Sequence, residues 1–320
     1  MSMPMKEFRV LMTLLFSLSP IPSLIVNAQP LDTSVFGAGI ASKYPEDLGI
    51  ENDEAVLFAD NFEQGDFRKW DENQAEGDLT RSAVTTEAHL AFHGTHACRM
   101  TATRGRDNGG GLIKWLGKGH DEVHARFYVK FAHDAGYTHH FVHLNGSPER
   151  WGSFGKAGRR PKGDDFFSTG IEPWFDWGQN APPGKWMFYT YWPEMKGSPG
   201  GKYWGNGFHP TSDVIPRGVW ICMEIRVRMN TPGKADGEQS VWQNGQLTGH
   251  FTAIKWRTTD SLQANVFWLM NYVTEKAFRY TEQHAGRHKM EVNTQTHSVC
   301  FDQVVVATEY IGPIKKANAD

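Results

Sequence analysis

Residues 218 to 245, GVWICMEIRVRMNTPGKADGEQSVWQNG, read as a strand, a turn and a second strand. Alternate positions of the first strand, Ile221, Met223, Ile225, Val227 and Met229, make one apolar face. Glu224, Arg226, Arg228 and Asn230 fall on the other. A charged face is costly to bury unpaired. The pattern therefore predicts a face that either meets solvent or floors a cleft holding something polar and anionic.

The same alternation recurs along the chain. Short β-rich runs, punctuated by Gly, Asn, Asp and Pro, cover residues 95–103, 111–116, 122–131, 139–144, 186–192, 220–230, 239–243, 264–272 and 300–310. This spacing predicts an all-β sandwich or barrel, not βαβ units. Residues 145–185 and 193–217 read as long loops, and their tryptophans and tyrosines argue for order and function. Residues 274–296 predict a short helix with Arg279, Tyr280, His284 and His288 close together.

Residues 1–28 read as an export signal. Lys6 and Arg9 start it, an apolar run follows, and Val26-Asn27-Ala28 offers a cleavage site. The apolar run is too short and Pro-interrupted to span a bilayer. The expectation is a secreted or periplasmic chain with no membrane partner, acting as a monomer. Residues 29–55 read as a linker, 56–314 as one domain and 315–320 as a tail. The chain is acidic overall, at a formal −3, which disfavours nucleic acid as a partner. Three cysteines, Cys98, Cys222 and Cys300, are too few to staple a fold, and roughly 290 residues can bury a core unaided.

Three segments in this order, FADNFEQGDFRKW (58–70), the strand–turn–strand already described, and FDQVVVATEYIGP (301–313), resemble the concanavalin A-like jelly-roll class that includes glucuronan, alginate and heparin lyases. The resemblance implies two antiparallel sheets with an acidic polysaccharide in a concave groove. It also implies β-elimination beside a uronic acid. That reaction needs the sugar carboxylate neutralised, a base for the C5 proton and an acid for the leaving O4.

Candidates for each role follow. Arg226 and Arg228 would grip the carboxylate beside Glu224; the plain alternative is an exposed strand face with cross-strand pairs. In HHFVHLNG (139–146) alternation sets His139, Phe141 and His143 on one face and His140, Val142 and Leu144 in the core. His143 and His139 are candidates for proton transfer, or for a zinc or copper site completed by His133 or His124, or for neither. In KWMFYTYWPEM (185–195) Tyr189 and Tyr191 share a face and are candidate acid and base, while Trp192 is a candidate sugar platform; a half-buried aromatic strand is the plain alternative. Tyr272 and Tyr280 compete, with Tyr280 a candidate substrate contact. Lys156 and Arg160 in the basic loop 155–165 are further binding candidates. Asp60, Glu63 and Asp302, in the first and last strands, suggest a structural calcium, as related domains carry one.

Other chemistries lack their signatures. There is no Glu-x-Asp-x-x-Glu strand, HExxH or GxSxG. A sugar-binding domain without chemistry, or a glycoside hydrolase using Glu172 with Asp176 or Glu224 with a partner, is the alternative.

Overall fold

The computed structural model describes residues 36–316. Two antiparallel sheets pack face to face as a jelly-roll sandwich. The strands are β1 (Val56–Asp60), β2 (Glu72–Asn73), β3 (Ser82–Thr85), β4 (Ala97–Thr103), β5 (Gly109–His120), β6 (Glu122–Phe131), β7 (Val142–Gly146), β8 (Phe167–Trp174), β9 (Lys185–Tyr191), β10 (Asn206–Phe208), β11 (Ile221–Arg228), β12 (Gly237–Gln243), β13 (Gln246–Ile254), β14 (Ala264–Tyr272) and β15 (Thr296–Ala307). One sheet runs β13-β12-β11-β6-β15-β4-β3, with β1 also on β15; the other runs β10-β9-β8-β7-β14-β5-β2.

Alternation explains the layers. Ile221, Met223, Ile225 and Val227 of β11 face inward beside Val123, Ala125, Phe127 and Val129 of β6. From the second sheet come Val142, Leu144, Ile171, Phe188, Phe267 and Leu269. Burying each large apolar side chain contributes roughly 2 kcal/mol, so this shared interior dominates the fold. The remaining face of β7, β8, β9 and β14 is left to line a groove.

Some segments read as loop are strand. The 145–185 stretch contains β8, whose sequence FSTGIEPW carries Gly170, Pro173 and three polar groups. The 193–217 stretch contains β10. The expected helix is α1 (Glu275–His288), capped by the Thr274 side chain accepting from the Ala277 N–H.

Residues 36–52 pack against the first sheet in short 3-10 turns. Ile40, Ala41 and Ile50 bury against Val305, Ala307 and Ile311. Residues 1–28, which read as an export signal, lie outside the described residues. Among the described residues no helix is long and apolar enough to cross a membrane. Cys98, Cys222 and Cys300 are buried free thiols.

Candidate functional site

The groove is set by register. On β7 His143 pairs with Gly170 of β8 and Trp268 of β14, and Gly170 pairs in turn with Tyr189 of β9. Residues that pair directly across antiparallel strands share a face. His143, Asn145, Ser168, Glu172, Tyr189, Tyr191 and Trp268 therefore project the same way. Most of them line a cavity of about 950 Å³ together with His139, His140, Lys156, Arg81, Arg106 and Tyr272.

At its floor one carboxylate meets two imidazoles. Glu172 Oε1 lies 2.6 Å from His140 Nδ1 and 3.2 Å from His143 Nε2. Burial alone would raise the Glu172 acid, but the two histidines outweigh it and hold it at about 2. His143 Nδ1 sits 3.3 Å from Ser168 Oγ. The His140 ring stacks on Tyr272, with centroids 5.8 Å apart and planes 13° apart. Gly170 lies directly beneath the His143 ring: a Cβ there would fall 2.7 Å from its Cε1 and closer still to Nε2.

Above this floor the Tyr189 and Tyr191 hydroxyls lie 3.3 Å apart. Burial, then the hydrogen bond with Tyr191, pushes Tyr189 above the usual phenol range. The two hydroxyls share one hydrogen bond, in which either can donate. Tyr191 itself is almost fully covered.

The structure thus brings His139, His143, Tyr189, Tyr191, Tyr272 and Lys156 to one cavity. It places the other candidates elsewhere. Arg226, Arg228 and Glu224 lie on the opposite sheet, facing away from the sandwich interior. Glu224 and Arg226 are buried, because residues 36–52 and 309–314 cover much of that face, whereas the Arg228 side chain stays 39% exposed at its edge. Glu224 accepts the Ile311 and Gly312 N–H groups and contacts His124. Arg226 pairs with Glu122 and Glu238 at 2.6 Å each, with the Phe36 ring over its guanidinium. Arg228 pairs with Glu238. His124 belongs to this cluster and cannot complete a metal set with His143.

This placement carries its own test. Arg226→Ala strands Glu122 and Glu238 and is expected to cost about 3 kcal/mol of stability at neutral pH, while leaving any turnover in the groove intact. Glu122 is held at about 2, because His124 and Arg226 outweigh burial. A depressed carboxyl stabilises above its unfolded value and loses that contribution as pH falls through its folded one. The deficit, read from urea midpoints, should be full above about pH 4.5 and shrink as pH falls toward 2.

Trp192 is core, packed on Phe208, and cannot platform a sugar. Arg160 donates to the Pro193 carbonyl and sits over Tyr203 rather than in the cavity. Tyr280 stacks between Phe175 and His284 on α1, also away from it. Asp60, Glu63 and Asp302 do not offer a calcium cage. Asp60 accepts from the Phe62 N–H and Trp70 Nε1, Glu63 from the Thr95 and His96 N–H groups, and Asp302 from the Phe92, His93 and Gln303 N–H groups. The Phe92, His93, Thr95 and His96 donors hold the 92–96 loop to Glu63 and Asp302, and all of these donors face the oxygens a cation would need.

Alternation misplaced His140. Because β7 begins at Val142, the chain breaks step, Phe141 is buried and His140 turns into the groove. A hydrolase pair of Glu172 and Asp176 does not form across the cavity, because Asp176 does not line it. The polar alternation Ser168-x-Gly170-x-Glu172 was the available signal, masked by the Gly and Pro around it.

No family model matches the sequence, and no curated protein matches it. The fold does have solved counterparts. Alginate lyase vAL-1 from Chlorella virus superposes with a TM-score of 0.55 at 16% identity, covering 79% of this chain and 99% of that one. The marine PL-14 alginate lyase from Aplysia kurodai gives 0.54 at 16%, covering 76% and 91%. A variant of alginate lyase Aly36B in complex with alginate tetrasaccharide gives 0.53 at 16%, covering 81% and 99%. At this identity the likeness speaks for architecture: the chain is a jelly-roll β-sandwich of the kind found in these polysaccharide lyases.

Proposed function

We propose that the protein is an exported lyase that cleaves a uronic-acid-containing polysaccharide by β-elimination. The observation that carries the reading is the convergence of imidazole, carboxylate and phenol groups on one groove of a sandwich shaped like those of alginate lyases. The basic, apolar and small-residue order of residues 1–28 supports export.

In this reading Tyr191 takes the C5 proton. The C5–H electron pair becomes the C4=C5 double bond, the C4–O4 bond breaks, and Tyr191 returns the proton to O4. A hydrogen bond donated by the Tyr189 hydroxyl to the Tyr191 oxygen would favour the anionic form of Tyr191 during the step. His143 is less suited to the base role, since each of its nitrogens already has a partner. The Asn145 amide and the Lys156, Arg81 and Arg106 cations line the same cavity and would meet an anionic chain.

The test is direct. The purified protein is incubated with alginate, glucuronan, heparin and pectin, and the ultraviolet absorbance of the unsaturated sugar is followed. Growth of that absorbance on one polymer is the expected result. New reducing ends without a double bond would replace the reading with a hydrolase, and retention on the polymer without any cleavage would leave a binding domain.

A further inference from the structure

We propose that the groove floor is a metal site: His140 Nδ1, His143 Nε2 and Glu172 Oε1 hold a first-row divalent ion of the Zn²⁺ type, which binds the substrate's carboxylate. The second half rests on the lyase reading; the first half does not.

The geometry comes first. The three ligand atoms lie within 4.8 Å of one another, and no other group of three or more His, Cys, Asp or Glu residues among those described converges in this way. Two imidazole nitrogens address a single carboxylate oxygen, at 2.6 and 3.2 Å. A proton relay through one imidazole needs only one of them. All three atoms come from β7, its lead-in and β8, so a sheet fixes their spacing. Ser168 Oγ stands on the far nitrogen of His143, the position from which a neighbouring group orients a metal-binding imidazole. Glycine at 170 leaves room for the ring.

The donor set selects the ion. Two nitrogens and one oxygen suit Zn²⁺ and its first-row neighbours and suit Ca²⁺ or Mg²⁺ poorly. Three protein ligands leave a coordination position, as open metal sites do. Two of the three ligands, His140 and His143, line the cavity.

The site would also add to the chemistry of the cavity, beside the Lys156, Arg81 and Arg106 cations that line it. Elimination needs the uronate carboxylate neutralised, and Arg226, the sequence candidate, lies on the other sheet. A divalent ion on a single carboxylate leaves a net positive charge at the groove floor. With both histidines engaged as ligands, proton transfer falls to the tyrosines.

The experiment separates the two halves. Full-length protein is stripped with a chelator, then titrated with Zn²⁺ against a chromophoric competitor and with Co²⁺ by visible absorption. One equivalent is expected, with cobalt bands of a low-coordinate site. Glu172→Gln and His143→Gln should each weaken uptake by about 100-fold, while His89→Ala, at an exposed imidazole outside the groove, should not. His143→Gln keeps an amide that can hydrogen-bond Glu172, so its melting point checks that the fold survives. Uptake well below one equivalent, or unchanged in both glutamine variants, overturns the site. Metal uptake without cleavage of any uronate polymer leaves the site standing and removes the lyase reading. Cleavage at full rate by the stripped protein removes the ion's role in the reaction.

Discussion

Tyr191→Phe is expected to lower kcat on the cleaved polymer by about 10³-fold with little change in KM. The substitution removes one oxygen from a ring that is otherwise packed in the aromatic interior of the second sheet. Stability should therefore change little, and the lost rate reports chemistry rather than unfolding. The hydroxyl is placed by its partner: Tyr189 lies 3.3 Å away and stays protonated. Removing the Tyr189 hydroxyl instead should cost less, because it stabilises the base without carrying the substrate's proton. Initial rates of ultraviolet absorbance over a range of polymer concentration separate the two constants. A loss under about tenfold for Tyr191→Phe would move the base elsewhere, with His139 next in reach of the cavity.

Gly170→Ala is expected to be nearly as damaging from a position that touches no substrate. The new methyl would occupy the space of the His143 imidazole. The ring must swing away, and its contact with Glu172 goes with it. Displacing a group by about 1 Å can cost about 10²-fold in rate, and overpacking costs roughly 1–3 kcal/mol in stability. Both kcat and metal uptake should fall together while the far-ultraviolet circular dichroism stays that of the folded sandwich. A variant that keeps wild-type rate and wild-type metal uptake would mean that the His143 orientation is irrelevant to both.

The architecture was legible because alternation is a strong signal where one face is apolar. Residues 122–131 and 264–272 emerge as β6 and β14 with the ends read from sequence, and β11 buries the residues it was expected to bury. Legibility failed where polar groups occupy the groove face. β8 lines the site with Ser, Gly and Glu and carries Pro173, so it lacks the β-branched pattern of a strand. His140 failed for a related reason, since one residue out of step at Phe141 exchanges the faces. The Glu224-Arg226-Arg228 face failed for another. Periodicity assigns a face but says nothing of what lies over it, and here the chain covers that face with its own N- and C-terminal segments.

That covering redraws where the folding unit begins. Arg126 on β6 is fully buried, and its guanidinium is answered by Asp47, which precedes the first strand by nine residues. A chain trimmed to start at β1 would keep every strand and both sheets yet leave the Arg126 guanidinium without its carboxylate, with the Gly312 and Gln303 carbonyls and the Tyr128 ring remaining beside it. The stretch that reads as a tether is thus a counterion supplied in cis, and shortening it would tax the interior of a sheet it never joins.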